Sequence, residues 1–92
     1  MSSIEFTNKK WALKGNITFS EILLLLEKVN HYDWSESIEL DLSDVKEIDT
    51  VLISFILEQK RQAKKFNKEF IVNNSPETLK SLLKLYDIEK LI

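Results

Sequence analysis

The chain has 92 residues, a length typical of one domain, so we expect a single domain over residues 1–92. Its 13 basic and 15 acidic residues leave a net charge of -2, which gives no strongly basic face for nucleic acid. Cysteine is absent and histidine occurs once, which excludes disulfides and thiolate catalysis and leaves no predicted metal or cofactor site.

Two short strands are predicted at the start of the chain. Residues 4–7 and 10–13 are rich in apolar and β-forming side chains with weak alternation, which favours a β-hairpin. Gly15 and Asn16 form the clearest turn signal in the chain, because glycine and asparagine tolerate backbone conformations that other residues avoid. We therefore expect the second strand to stop before Gly15.

A helix is predicted next. Thr18 and Glu21 fit a capping box, in which each side chain bonds the other residue's backbone N–H, and the helix ends near residues 30–32. Its predicted apolar face consists of Phe19, Ile22, Leu23, Leu26 and Val29, widened by Leu24 and Leu25. This face is expected to pack on the sheet.

A strand, a loop and a second helix follow. Residues 37–42 alternate between apolar and polar side chains, which is typical of a strand with one buried face. Residues 43–49 are expected to form a loop that leads into a helix over residues 50–66. Asp49 or Thr50 can cap the first turn of this helix, because both are preferred residues at that position.

The last third of the chain predicts a strand and a helix. Residues 69–73 contain an uninterrupted apolar run, which indicates a strand covered on both faces. A helix start is marked by Ser75 as the cap, Pro76 at the first helical position and Glu77 in the first turn. Residues 88–92 are apolar enough to pack back on the domain as a final turn or strand. The order β-β-α-β-α-β-α predicts an α/β fold, a four-stranded mixed sheet with helices packed on it.

The start of the second helix carries more apolar surface than a sheet face covers. At about 100° per residue, the apolar arc from Val51 to Leu57 spans about 240°, whereas a core-facing stripe needs about 100°. Either a neighbouring helix of the same domain buries the excess, or Val51, Leu52 and Phe55 belong to an intermolecular patch.

These segments resemble the STAS domain family. Residues 40–45 read LDLSDV, residues 48–50 read IDT, and the apolar helix that follows ends in AKK at residues 63–65. The resemblance covers most of the chain and extends to residues 82–88, which look like the family's last helix and its exit. It implies a STAS-like fold, most similar to the MlaB-type subunit of bacterial phospholipid-transport ABC complexes.

The resemblance also implies which residues contact a partner. In the family's anti-sigma factor antagonists, the residue after the motif aspartate is a phosphorylatable Ser or Thr, and that position is Thr50 here. Small residues commonly follow it in the family, whereas Val51 and Leu52 follow it here, which favours a permanently assembled complex over a phosphorylation switch. The expected partner-binding residues are Asp49, Thr50, Val51, Leu52 and Phe55.

Two functions follow from the resemblance. The first is an accessory subunit, without catalytic activity, of an ABC-type phospholipid transporter that maintains membrane lipid asymmetry, bound to the cytoplasmic ATPase subunit. The alternative is an anti-sigma factor antagonist that binds an anti-sigma factor and is regulated by phosphorylation at Thr50. An enzyme is not predicted, because no nucleophile and base stand at a recognisable spacing.

The sequence favours a cytoplasmic protein that does not insert directly into a membrane. The longest apolar run, residues 23–26, falls far short of the about 20 residues that a membrane span needs. The first ten residues lack the apolar core of a signal peptide. If the transporter interpretation holds, the chain lies at the inner membrane through its complex.

Overall fold

The computed structural model describes residues 2–30 and 32–92. The strands are β1 (Ser2–Thr7), β2 (Lys10–Ile17), β3 (Ile38–Ile48) and β4 (Phe70–Asn73). The helices are α1 (Phe19–Val29), α2 (Val51–Lys65) and α3 (Glu77–Leu85), and a short 3₁₀ turn covers Glu89–Leu91. The predicted order β-β-α-β-α-β-α is confirmed.

The four strands form one mixed sheet in the order β1-β2-β3-β4. The first two strands form the predicted antiparallel hairpin, turned at Asn8 and Lys9, and Lys9 takes the left-handed conformation with a φ of 63°. Strand β2 pairs in parallel with β3, and β3 pairs in parallel with β4. Because α1 and α2 each connect two parallel strands, they begin at the same edge of the sheet, where β2 and β3 end.

Strands β2 and β3 are longer than the sequence predicts. Gly15 has a φ of 86° and lies where the register between the two strands shifts, so it forms a bulge inside β2 and does not end it. The expected loop over residues 43–49 is also wrong, because β3 stays paired with β2 as far as Ile48. The bulge lets both strands continue past a residue that reads locally as a turn.

Only one face of the sheet is covered. Trp11, Leu40 and Phe70 point into the core and are at most 2% exposed. On the opposite face Lys14 pairs with Glu5 (3.0 Å between Nζ and Oε1), and Ile71 is 47% exposed. The prediction that the last strand is covered on both faces is wrong, because all three helices contribute to a single core on one side of the sheet.

Helix α1 packs on the sheet through only part of the predicted apolar face. Ile22, Leu25 and Val29 are buried, whereas Phe19 is 77% and Leu23 is 71% exposed. The buried set follows the spacing i, i+3, i+7, which places it on one narrow stripe. Four successive leucines cannot all lie on that stripe, so α1 leaves apolar side chains in solvent.

An aromatic cluster closes one end of the core. The Trp11 ring lies 5.0 Å from the Tyr32 ring and 5.6 Å from the Trp34 ring, measured between centroids. Phe70 packs against both tryptophans, at 5.3 Å from Trp11 and 5.9 Å from Trp34. These ring contacts hold the segment after α1 against the sheet.

Candidate partner-binding surface

Asp49 joins the first turns of α1 and α2. Its Oδ1 accepts a hydrogen bond from the backbone N–H of Val51 (2.9 Å), and its Oδ2 accepts one from the backbone N–H of Phe19 (2.9 Å). Both donors would otherwise be unpaired at a helix start, and a carboxylate there is favoured by both helix dipoles. The prediction that Asp49 can cap α2 is confirmed, and the same carboxylate caps α1 as well.

The predicted capping box at α1 does not form. Thr18 makes no side-chain capping hydrogen bond within the described chain, and its hydroxyl lies 3.2 Å from that of Ser20. The Glu21 Oε1 instead accepts from the backbone N–H of Ser2 (2.8 Å), which ties α1 to the edge strand β1. Asp49, which is distant in sequence, replaces the local cap.

Thr50 is exposed beside Asp49. It occupies the N-cap position of α2, with φ -61° and ψ -17°, and its side chain forms no capping bond to the described residues. Since Asp49 satisfies the neighbouring N–H group, the Thr50 hydroxyl is left facing solvent. It is therefore accessible to a partner protein or to a modifying enzyme.

Leu52 and Phe55 are core residues. Leu52 is 0% and Phe55 is 2% exposed, and both pack in the same cluster as the sheet. The expectation that these two side chains lie in an intermolecular patch is therefore wrong for the folded domain. A helix that packs both on a sheet and against a neighbouring helix buries a wider face than the stripe that points at the sheet. The alternative, burial within the same domain, accounts for the apolar excess at these positions.

The exposed apolar side chain at this edge comes from α1. Phe19 is 77% exposed, and its backbone N–H donates to Asp49, which places the first residue of α1 close to the start of α2, where Val51 is half-buried. We call Phe19, Asp49, Thr50 and Val51 the α2 entry surface. Sequence reasoning missed Phe19 because it placed this residue on the buried face of α1.

A shallow cavity of about 440 Å³ lies between the end of β3 and α3. Ile48 forms one side of it, and Leu82 and Leu85 of α3 form the other. Leu85 is 72% exposed. Ile48 is two residues before Thr50, so one wall of the cavity lies close to the start of α2.

The carboxylates with the largest pKa changes lie elsewhere. Hydrogen bonds from the Asn74 amide and the Ser43 backbone N–H, with Lys10 nearby, lower the pKa of Asp41 to about 2. Hydrogen bonds from Arg61 and Gln62 lower the pKa of Glu58 to about 2. Both carboxylates remain ionised under ordinary conditions.

The described ranges contain neither a metal-binding cluster nor a membrane-spanning helix. Within residues 2–30 and 32–92, no group of three His, Asp or Glu side chains is placed to hold a metal ion. In the same ranges, no helix combines the length and apolar character that crossing a membrane requires.

Comparison with known families assigns the fold. The family model described as "Mlab, STAS domain" matches residues 3–92. The chain belongs to the STAS domain family. The match covers all three helices and the whole sheet except Ser2, the first residue of β1. A search of curated proteins found no match.

Solved structures agree with this fold. A crystal structure of a protein named Mglu superposes with a TM-score of 0.60 and 21% identity, and covers 79% of this chain. A second crystal structure, of Mglu in its native form, gives a TM-score of 0.60 and 17% identity over 79% of this chain. The chain spans about a fifth of those proteins, 19% and 22%, so the likeness concerns the fold alone.

Proposed function

We propose that this STAS domain is a non-catalytic accessory subunit of an ABC-type phospholipid transporter, and that it binds and stabilises the cytoplasmic ATPase subunit. The observation that carries the proposal is the α2 entry surface, in which an exposed phenylalanine lies beside an exposed threonine at a rigidly capped helix start. The family description, which names MlaB, supports the choice of partner. Through that complex the domain lies at the inner membrane and contributes to membrane lipid asymmetry.

A permanent contact fits this surface better than a transient one. A large apolar ring that is 77% exposed gains free energy when a partner covers it. Leu52 and Phe55 support the surface from the core, and the double cap by Asp49 fixes the two helix starts relative to each other. A preorganised surface loses little conformational entropy on binding.

Co-purification with the cognate ATPase subunit tests the proposal. Phe19→Glu places a charge in the surface, yet glutamate in the first turn of a helix is favourable, so the fold should persist. We expect this variant and Thr50→Glu each to reduce recovery of the ATPase at least about tenfold. Leu24→Glu is the matched control, because Leu24 is 57% exposed on the other flank of the same helix. Full recovery with both Phe19→Glu and Thr50→Glu would contradict the assignment.

The exposed Thr50 hydroxyl supports a second candidate, an anti-sigma factor antagonist switched by phosphorylation. A phosphate on Thr50 would add about two negative charges beside the Asp49 carboxylate and the Phe19 ring, which would disfavour an apolar contact. Incubation with the cognate kinase-type anti-sigma factor and ATP, followed by intact mass measurement, separates the candidates. If the parent protein stays unmodified at Thr50 and still binds the ATPase subunit, the phosphorylation switch is excluded and the transporter subunit is the remaining candidate.

A further inference from the structure

Basic residues concentrate at the end of α2. Residues 60–68 contain five Lys or Arg and no acidic residue, whereas the rest of the chain carries eight basic and fifteen acidic side chains. The helix dipole favours Lys64 and Lys65 in the last turn, but its effect falls off beyond that turn and does not explain the other three. A chain with a net charge of -2 therefore has one locally basic region.

Most of this positive charge is not neutralised within the domain. Arg61 pairs with Glu58 (2.7 Å between Nη2 and Oε2), and the Lys60 Nζ donates to a backbone oxygen of β4 (2.7 Å). Hydrogen bonds from Arg61 and Gln62, together with the nearby charge of Lys65, lower the pKa of Glu58, so this carboxylate is already compensated. The basic residues of the run that face solvent without an ion pair to the described residues are Lys64, Lys65 and Lys68.

Phe66 lies between these lysines and is 55% exposed. The backbone N–H of Asn67 donates to the Lys64 oxygen (3.1 Å), and that of Lys68 donates to the Ala63 oxygen (2.9 Å). Asn67 takes the left-handed conformation with a φ of 57°. These features form a Schellman motif, which ends a helix with a fixed backbone geometry. An ordered turn therefore presents a largely exposed phenylalanine between lysines.

We call Lys64, Lys65, Phe66 and Lys68 the α2 exit surface. Leu23 of α1 extends its apolar part, because it is 71% exposed and lines the same groove between α1 and α2 as Phe66. The surface thus combines three lysines with exposed aliphatic and aromatic side chains. This combination suits an anionic bilayer, since lysines attract the headgroups and apolar side chains reach the acyl boundary.

Two carboxylates reduce the positive charge of this region without cancelling it. Glu69 follows Lys68 directly, and its charge opposes the lowering of the Lys60 pKa by burial. Glu27 of α1 lines the groove beside Phe66. Across residues 58–69 five basic residues stand against two acidic ones, so the end of α2 stays positive.

We propose that the α2 exit surface contacts an anionic phospholipid bilayer. Its three lysines pair with headgroup phosphates, and Phe66 lies at the boundary between the headgroups and the acyl chains. A dissolved phosphate would satisfy the lysines alone, whereas a bilayer also covers the apolar side chains. Single-stranded nucleic acid binds lysines and stacks on aromatic rings, but it offers no comparable contact to the aliphatic Leu23. The contact is peripheral, at the depth of the headgroups.

The opposite end of α2 is suited to face away from the membrane. Helix α2 has 15 residues and is about 22 Å long, which separates the α2 exit surface from the α2 entry surface. Residues 44–49, at the entry end, contain three carboxylates and one lysine. An anionic surface repels that end and attracts the other. The α2 entry surface stays free for a partner, and the proposal does not depend on the transporter assignment.

Sedimentation with lipid vesicles tests the proposal on the full chain. Vesicles of equal parts phosphatidylcholine and phosphatidylglycerol should bind the protein at least about tenfold more tightly than vesicles of phosphatidylcholine alone. Added salt should weaken binding to the mixed vesicles, because it screens the lysine charges. Equal binding to both kinds of vesicle would overturn the proposal.

A pair of charge reversals locates the contact. Lys64→Glu should weaken binding to the mixed vesicles at least about tenfold. Lys46→Glu makes the same change in net charge at an exposed position near the start of α2, and it should bind like the parent. Equal weakening by both variants would show that net charge, and not the α2 exit surface, governs binding.

A pair of apolar truncations tests the acyl boundary contact. Phe66→Ala should weaken binding to the mixed vesicles at least about fivefold while its melting temperature stays close to the parent's, because the ring is largely exposed. Leu85→Ala is the control, since Leu85 is 72% exposed and lies beside Ile48 near the start of α2. Unchanged binding by Phe66→Ala would reduce the site to an anion-binding patch and contradict the bilayer contact.

Other occupants give different results. An oligonucleotide of uridines that binds more tightly than the mixed vesicles, and is lost in Lys64→Glu, would assign the surface to nucleic acid. Phe19→Glu, which tests the ATPase contact, should bind vesicles like the parent. The membrane contact and the ATPase contact can therefore fail separately.

Discussion

Asp49 makes more capping hydrogen bonds than Thr50, although the two residues are adjacent and both are suitable helix caps. One carboxylate oxygen serves α2 and the other serves α1, across a separation of 30 residues. The sequence predicts a cap at this helix start from the residue types there, and leaves it open between Asp49 and Thr50. The second depends on β2 and β3 ending side by side, which brings the start of α1 to the start of α2.

Asp49→Ala should lower the free energy of unfolding by about 1–3 kcal/mol, because it removes the caps of two helices together. Thr50→Ala should change it by less than about 0.5 kcal/mol, since the Thr50 side chain forms no capping bond to any residue in the described ranges. Urea denaturation of both variants measures the difference. Equal losses for the two variants would mean that Thr50 shares the capping role.

At the scale of single elements, β3 and β4 are joined by one polar cluster on the uncovered face of the sheet. Asp41 on β3 accepts from the Asn74 amide (2.9 Å) just beyond β4, and it pairs with Lys10 on β2 at 3.3 Å. The Asp41 side chain is only 12% exposed, so these contacts are partly shielded from water. The alternation of residues 37–42 places Asp41 on this face, but the sequence does not indicate its partners.

The Asp41 cluster predicts how stability depends on pH. The folded-state pKa of about 2 lies below the ordinary value of 3.8, so the ionised carboxylate stabilises the fold above about pH 4. This contribution is lost as the pH falls from about 5 towards 2. Asp41→Asn should therefore show a smaller loss of stability over that window in urea denaturation. Glu47→Gln removes an exposed carboxylate of the same strand and should keep the parent's profile.

For single helices, the buried face was harder to predict than the position along the chain. A run of apolar residues at helical spacing locates α1 and α2, but several faces of each helix satisfy the same pattern. The sheet selects Ile22, Leu25 and Val29 on α1 and leaves Phe19 exposed. On α2, the neighbouring elements cover Leu52 and Phe55, which the sequence had left open between core and interface.

At the scale of the whole molecule, the domain has two layers: a sheet and one layer of helices. One sheet face therefore has to remain polar, and the Glu5–Lys14 pair and the Asp41 cluster meet that requirement. Ile71 is the large apolar exception on the uncovered face, at 47% exposure. A continuous apolar run in β4 is therefore not evidence of burial on both sides.

The two-layer arrangement predicts a contrast between adjacent residues of β4. Phe70→Ala should cost about 3–5 kcal/mol of stability, because Phe70 is 2% exposed among the core aromatics. Ile71→Thr should cost less than about 0.5 kcal/mol, since threonine also favours a strand and the position faces solvent. Thermal or urea denaturation checks both values. A large cost at Ile71 would indicate that another surface covers this face.

The order of elements and the mixed four-stranded sheet were predictable from the sequence, because alternation, helical spacing and turn residues are local signals, and the resemblance of residues 40–50 indicated the family. Three features became clear from the packed fold alone: Gly15 forms a bulge, Asp49 caps two helices, and Leu52 and Phe55 are buried. Each of these depends on neighbours that are distant along the chain. Burial and hydrogen bonding are properties of the assembled layers, and local patterns leave several assemblies open until packing selects one.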